Sequence, residues 1–222
     1  MSYLIRVLLP DTPGSLGRLA DAFGTVDANI QSVDVIQVFP DNTAMDDIVV
    51  NIPSSILPDT LITAAQQVEG VEVDSIRPFA GTVDRREQIA MLSRVAESRG
   101  SRARALKELV DHIPRTMTSG WAIALEISED SSRRLAASDS APEDNGESPS
   151  IIRPEKARVL DPETESWIPE SWALLDAALA IAPIDNTNLV LVVGRPGGPD
   201  LLASEVEHLG NLGTIIGAMI TR

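Results

Sequence analysis

The first run of the chain, Tyr3-Leu4-Ile5-Arg6-Val7-Leu8-Leu9, is aliphatic and β-prone and predicts a strand. The period then changes. Leu16, Leu19, Ala20, Phe23 and Val26 recur at helical spacing and predict a helix of about three turns with one apolar stripe. Between them, Asp11-Thr12-Pro13-Gly14-Ser15 reads as a helix start, with Thr12 as cap and Pro13 at the first helical position. Residues 30–39 predict a second strand and 45–52 a third, separated by the turn cluster Pro40-Asp41-Asn42. Pro58-Asp59 opens a second helix with Leu61, Ile62, Ala65 and Val68 on its apolar side, and Gly70 ends it. Residues 71–77 alternate well enough for a fourth strand. The order β-α-β-β-α-β predicts two helices on one face of a four-stranded antiparallel sheet, a ferredoxin-like arrangement. That order alone assigns no function.

Beyond residue 84 the pattern restarts. Residues 84–97 and 103–113 read as helices and 120–127 as a strand. Residues 128–150 have almost no large apolar side chain and predict a mobile acidic excursion. A strand is expected within 151–160 and another in the later half of 172–182. Pro183 to Asn186 then turns into the strand Leu189–Val193. The loop Gly194–Asp200 leads into a final helix from about Leu201, whose apolar side carries Leu202, Val206, Leu209, Leu212, Ile216 and Ile220. The expected class is α+β, in two domains, 1–80 and 84–222.

Charge narrows the functions. A formal net charge of -15 across 222 residues repels phosphate backbones and anionic lipid, so neither nucleic acid nor membrane is an expected partner. The absence of cysteine removes disulfides, thiolate metal sites and thiol catalysis. No leader pattern precedes the first strand, so the expected location is the cytoplasm. His112 and His208 belong to no metal-ligand spacing and read as helix-surface residues. Asp46 and Asp47 are neighbours on a strand and point to opposite faces, so they cannot share one site. The loop at Gly194 lacks the Gly-Lys-Ser/Thr ending of a phosphate loop. No catalytic constellation assembles; the expectation is a non-enzyme with no metal and no cofactor. Arg85, Arg86, Arg94, Arg99, Arg102 and Arg104 form a local basic patch that could dock an acidic partner protein or pair with the acidic 129–147 segment.

Residues 3–78 resemble an ACT domain, a small regulatory module that commonly binds amino acids. Asp11-Thr12-Pro13-Gly14-Ser15-Leu16 fits the family's Asp/Asn-x-Pro-Gly-x-Leu turn, and Asn29-Ile30 fits the Asn-Ile that opens its second strand. The resemblance implies side-by-side homodimers. It places a ligand where Asp11, Pro13, Gly14, Ser15 and Leu16 of one protomer meet Asn29, Ile30 and Gln31 of the other. The residue chemistry is compatible. A helix start offers free N–H groups to a carboxylate, Gly14 admits close approach, and Asp11 could take an ammonium group. The same residues also suit a plain helix start and strand entry, so a ligand-free dimerisation module stays open. The segment from Leu189 to Ile220 resembles the end of a GAF domain: a strand, a Gly-Arg-x-Gly-Gly-type loop and a long helix with a Ser-Glu pair. It implies a sensor-type α/β domain around a central antiparallel sheet.

Overall fold

The computed structural model describes residues 1–79, 85–98, 100–129, 131–146 and 153–221, with Arg85 described by its backbone only. The chain forms two compact units, Met1–Val83 and Asp84–Arg222.

The first unit contains β1 (Ser2–Pro10), α1 (Ser15–Gly24), β2 (Asn29–Val38), β3 (Thr43–Asn51), α2 (Asp59–Gln66) and β4 (Glu72–Pro78). The strands lie in the order β2-β3-β1-β4, every pair antiparallel. The period-2 alternation sends Ile5, Val7 and Leu9 of β1 and Ile48 and Val50 of β3 to one face. There they meet Leu19 and Phe23 of α1 and Leu61, Ala64 and Ala65 of α2, all buried. Each aliphatic side chain taken fully out of water contributes about 1.5–3 kcal/mol. Arg6 and Asp47 point to the opposite face and form a buried two-point ion pair, Nε to Oδ1 at 2.7 Å and Nη2 to Oδ2 at 2.9 Å. That register separates Asp47 from Asp46, as strand alternation requires.

The start of α1 differs from the expectation. Thr12 does not cap it and Pro13 is not in it. The helix begins at Ser15, Gly14 is the N-cap residue at φ 92°, and no side chain caps the end. Thr12 lies two residues before the N-cap, and its hydroxyl is paired with the Ser15 hydroxyl at 2.9 Å. Only glycine reaches that left-handed φ without strain. The second helix also stops short of Gly70. It ends at Gln66, and Gly70, at φ 78°, turns the chain into β4.

The second unit comprises α3 (Arg85–Glu97), α4 (Arg102–Thr116), β5 (Trp121–Ile127), β6 (Ser132–Ala137), β7 (Arg158–Leu160), β8 (Ala178–Ile184), β9 (Leu189–Arg195) and α5 (Ala203–Ile220). Its antiparallel sheet runs β6-β5-β9-β8-β7. Alternation again divides the residues. Ala122, Ala180, Ala182, Leu191 and Val193 face α4 and α5, while Ile123, Leu179, Ile181, Val190 and Val192 face an aromatic cluster. Small residues on the helix side let α5 lie close. Modest side chains are not enough at two points: a Cβ on Gly213 would stand 2.1 Å from the Pro183 carbonyl oxygen, and one on Gly217 would stand 2.2 Å from that of Asp185.

Two expectations for the second unit are corrected. The acidic 128–150 segment is not wholly an excursion, because Ser132–Ala137 forms β6 against β5. Leu135 and Ala136 supply apolar contact with the helix-side core, and Arg133 pairs with Glu126 across the ladder at 2.7 Å. Residues 147–150 lie outside the described residues. The strand expected in 151–160 shrinks to Arg158–Leu160, with 151 and 152 also outside them. Among the described residues, no helix is long and apolar enough to cross a membrane.

Candidate functional site

The β1–α1 turn is assembled by backbone. The Asp11 N–H donates to the Asn42 carbonyl at 2.8 Å, that of Thr12 to Pro10 at 2.9 Å and that of Ser15 to Thr12 at 3.2 Å. Asp11, Thr12, Pro13 and Gly14 are exposed, and Leu16 is 38% exposed. Ser15 alone is buried, and the Arg18 guanidinium donates to its hydroxyl at 3.1 Å. An uncapped helix start with a left-handed glycine before it presents N–H groups and the positive end of the helix dipole, a suitable seat for a carboxylate.

Asn29, Ile30 and Gln31 are elsewhere. Asn29 stands opposite Asn51, which itself stands opposite Ser2, whereas the turn follows the pairing of Pro10 with Thr43. The two groups therefore occupy opposite ends of the sheet, separated by the length of β3, roughly 25 Å at about 3.4 Å per residue. One chain does not bring them together.

Sequence reasoning about this region missed the role of Asp46. It lies on β3 between Val7 of β1 and Val35 of β2, on the helix-covered face with Ile48 and Val50. It is 1% exposed, and its Oδ1 is fully buried without a hydrogen-bond partner among the described residues. Burial pushes its carboxyl up to about 6, assisted by the negative charges of Asp11, Asp34 and Asp47 in that order. The signal available in the sequence was an acid in an aliphatic alternation, Asp46 preceding Ile48 and Val50 at period 2.

In the second unit, the remaining candidates have structural partners. Arg195, fully buried, spends all three guanidinium nitrogens on protein acceptors. Nε donates to the Thr118 carbonyl at 3.2 Å, Nη1 to the Pro199 and Asp200 carbonyls at 3.4 Å, and Nη2 pairs with Glu205. Glu205 also accepts from the Leu202 N–H at 2.9 Å at the start of α5. The glycine-rich loop is thus pinned by one ion pair and several carbonyls. Trp172 packs edge-on against Trp121 at 6.0 Å and Trp167 at 6.3 Å, filling the face of the sheet opposite the helices. The Arg94 Nη1 donates to Nε2 of His112, whose Nδ1 therefore donates to the Glu108 carbonyl. His208 contacts Gln88. No cluster of metal-ligating residues occurs among the described residues.

Arg102 pairs with Glu126 at 3.0 Å and Arg94 is held by His112, while Arg99 and the side chain of Arg85 lie outside the described residues. Lys107 and Arg134 meet the acidic segment, at Asp139 (3.5 Å) and Asp144 (3.8 Å). A separate open groove of about 640 Å³ is lined by Arg102, Arg153, Asn188 and Thr221.

No family model and no curated protein matches the chain. Similar solved structures include GAF domains. That of an Acinetobacter phosphoenolpyruvate-protein phosphotransferase has 17% identity and a TM-score of 0.47, and covers 60% of this chain and 92% of that one. That of a Coxiella burnetii phosphoenolpyruvate-protein phosphotransferase has 12% identity and a TM-score of 0.46, with coverage of 61% and 94%. The nlh2 GAF domain of A. aeolicus has 11% identity and a TM-score of 0.42, with coverage of 60% and 94%.

Proposed function

We propose that this chain is a non-enzymatic regulatory protein of the cytoplasm. Its first unit acts as a ferredoxin-like ACT domain that binds a free amino acid, and its second as a GAF-like partner module. The observation that carries the reading is the β1–α1 turn: exposed, uncapped and opened by Gly14 at φ 92°. The amino-acid carboxylate would take the N–H groups of the helix start.

Pairing of two chains completes the site. β2 is an edge strand, and Val33, Val35 and Val38 along it are 40%, 53% and 56% exposed. An edge with that much apolar surface favours addition of another strand. Antiparallel pairing of β2 with a second copy would bring Asn29 of one chain beside Val38 of the other, at the end of the sheet that carries the turn. Asn29, Ile30 and Gln31 then face the partner's turn, which they cannot reach within one chain. The same exposed valines also favour the second reading, a ligand-free dimerisation module.

A thermal-melt screen against the twenty proteinogenic amino acids separates the two. A ligand at a hundredfold its dissociation constant adds about 2.7 kcal/mol, which raises the melting point by roughly 5–10 °C. One amino acid is expected to do this and to lose the effect in Asp11→Ala. No shift from any of them, in a folded dimer, removes the sensor reading.

A further inference from the structure

The sheet of the second unit ends in an edge strand, β7, that lies to one side of the helix above it. α5 rests over β8, where Gly213 and Gly217 sit against the main-chain oxygens of Pro183 and Asp185. β7 stands beyond β8, at the end of the strand order. Alternation turns Leu160 into the aromatic cluster on one face and Val159 toward the helix side, where it is 49% exposed. Between β7 and α5 runs an open groove of about 700 Å³. Ala157, Val159, Pro183 and Val206 give it apolar walls. Gly210 keeps its middle clear, because a Cβ there would stand 3.1 Å from that of Ala157. Along α5 the groove extends from Ala203 to Thr214, about 16 Å at about 1.5 Å per residue. That length fits an extended chain of roughly five residues.

The groove carries one sign of charge in excess. Among the described residues, Glu155, Asp185 and Glu207 line it against a single cation, Lys156. Glu155 and Glu207 are exposed, and neither takes part in an ion pair among the described residues. Asp185 accepts from the Thr214 hydroxyl at 2.7 Å, which fixes its carboxylate beside α5. Apolar walls with uncompensated carboxylates suit an occupant that alternates apolar and cationic side chains. Exposed carboxylates add little affinity, so they select the sign of the occupant while the apolar walls supply the binding. The strand edge contributes less, because the Val159 carbonyl already accepts from the Arg158 guanidinium at 3.2 Å. Recognition then rests on side chains in the groove rather than on extension of the sheet. We infer that this groove is the docking site for an extended segment of a partner protein in which apolar residues alternate with lysine or arginine. The inference gives the second unit's role as a partner module its occupant. It rests on that role and not on the amino-acid reading of the first unit.

The test uses the full chain and three fluorescein-labelled peptides with blocked ends: Lys-Val-Lys-Val-Lys, Lys-Ser-Lys-Ser-Lys and Glu-Val-Glu-Val-Glu. Binding is followed by fluorescence polarisation in about 0.15 M sodium chloride, which screens diffuse attraction. Glu155→Lys with Glu207→Lys reverses the charge of the groove, and Asn211→Trp, at an exposed position of α5, fills it. Glu129→Lys with Glu143→Lys makes the same charge change in the segments flanking β6, the opposite edge strand. Circular dichroism checks that each variant is folded. The expected result is that Lys-Val-Lys-Val-Lys binds wild type at least tenfold more tightly than either other peptide. Both groove variants should weaken it at least tenfold, and the β6-side pair should leave it within about twofold. An equal loss in the β6-side pair marks diffuse attraction to an acidic surface and overturns the inference. Undiminished binding to both folded groove variants also overturns it, and leaves the partner module standing with its surface elsewhere. Absence of binding by all three peptides removes the inference together with the peptide-partner reading of the second unit. The amino-acid site of the first unit is decided separately, by the thermal-melt screen.

Discussion

Replacing Asp46 by asparagine should stabilise the ligand-free protein, but only above a defined pH. The side chain keeps its size and loses its charge. In the folded chain the carboxyl titrates near 6, against an ordinary 3.8. Between those values the folded state holds a proton that the unfolded state has released, so wild-type stability falls as pH rises through the window. Above it the full penalty is present. The two titration points set a ceiling of about 3 kcal/mol. The Asp46→Asn variant carries no proton to release at this position, so its gain over wild type should be near zero at pH 3.5, grow from pH 4 to 6, and level off above pH 7. The assay is urea denaturation at several pH values. It should be followed by the ring signals of Tyr3, the chain's only tyrosine, which packs against the core of the first unit. A difference that is constant from pH 4 to pH 8, or a destabilised mutant at pH 7.5, would refute the argument that an uncompensated charge is buried there.

Other outcomes follow from the same structure. Gly14→Val forces a β-branched residue to φ 92°; it should cost about 1–3 kcal/mol and abolish any amino-acid-induced melting shift, both read from thermal melts. Val35→Lys places a charge on the exposed edge of the first sheet and should convert a dimer to monomer in analytical ultracentrifugation, without lowering the melting point of the monomer. Glu205→Ala leaves the buried Arg195 without its carboxylate and should cost about 3–5 kcal/mol. Tryptophan fluorescence measures it in urea, because all three tryptophans belong to the second unit.

Most strands and helices of both units were legible because their apolar positions keep a clear period. Ile5, Val7 and Leu9 alternate into one core, and Leu19 and Phe23 recur at helical spacing into the same core. What escaped was governed by competition between polar groups. Thr12 has the residue type of a cap, yet the helix begins at Ser15 after the left-handed Gly14, and the Thr12 hydroxyl pairs with that of Ser15 instead. The strand Ser132–Ala137 was hidden because its stability comes from pairing with β5 and from Arg133 reaching Glu126, both non-local. The turn could be located from Pro13-Gly14. Asp46 could not, because its importance arises only when folding buries it between Val7 and Val35 and leaves its Oδ1 without a hydrogen-bond partner among the described residues.

The contact of α5 with β8 has a consequence for how this protein can change over time. At Gly213 and Gly217 the helix rests directly on main-chain oxygens of Pro183 and Asp185. Elsewhere in the core a larger residue can be accommodated by a smaller one opposite, so sequences can drift in pairs. Main-chain oxygens cannot be traded for anything smaller. No second-site replacement restores room at these two positions, and the only escape is to move the helix, which displaces every side chain packed beneath it. A saturation-mutagenesis survey should find both glycines intolerant in every background, while Leu209 and Ile216 beside them accept other aliphatic residues once their neighbours are varied.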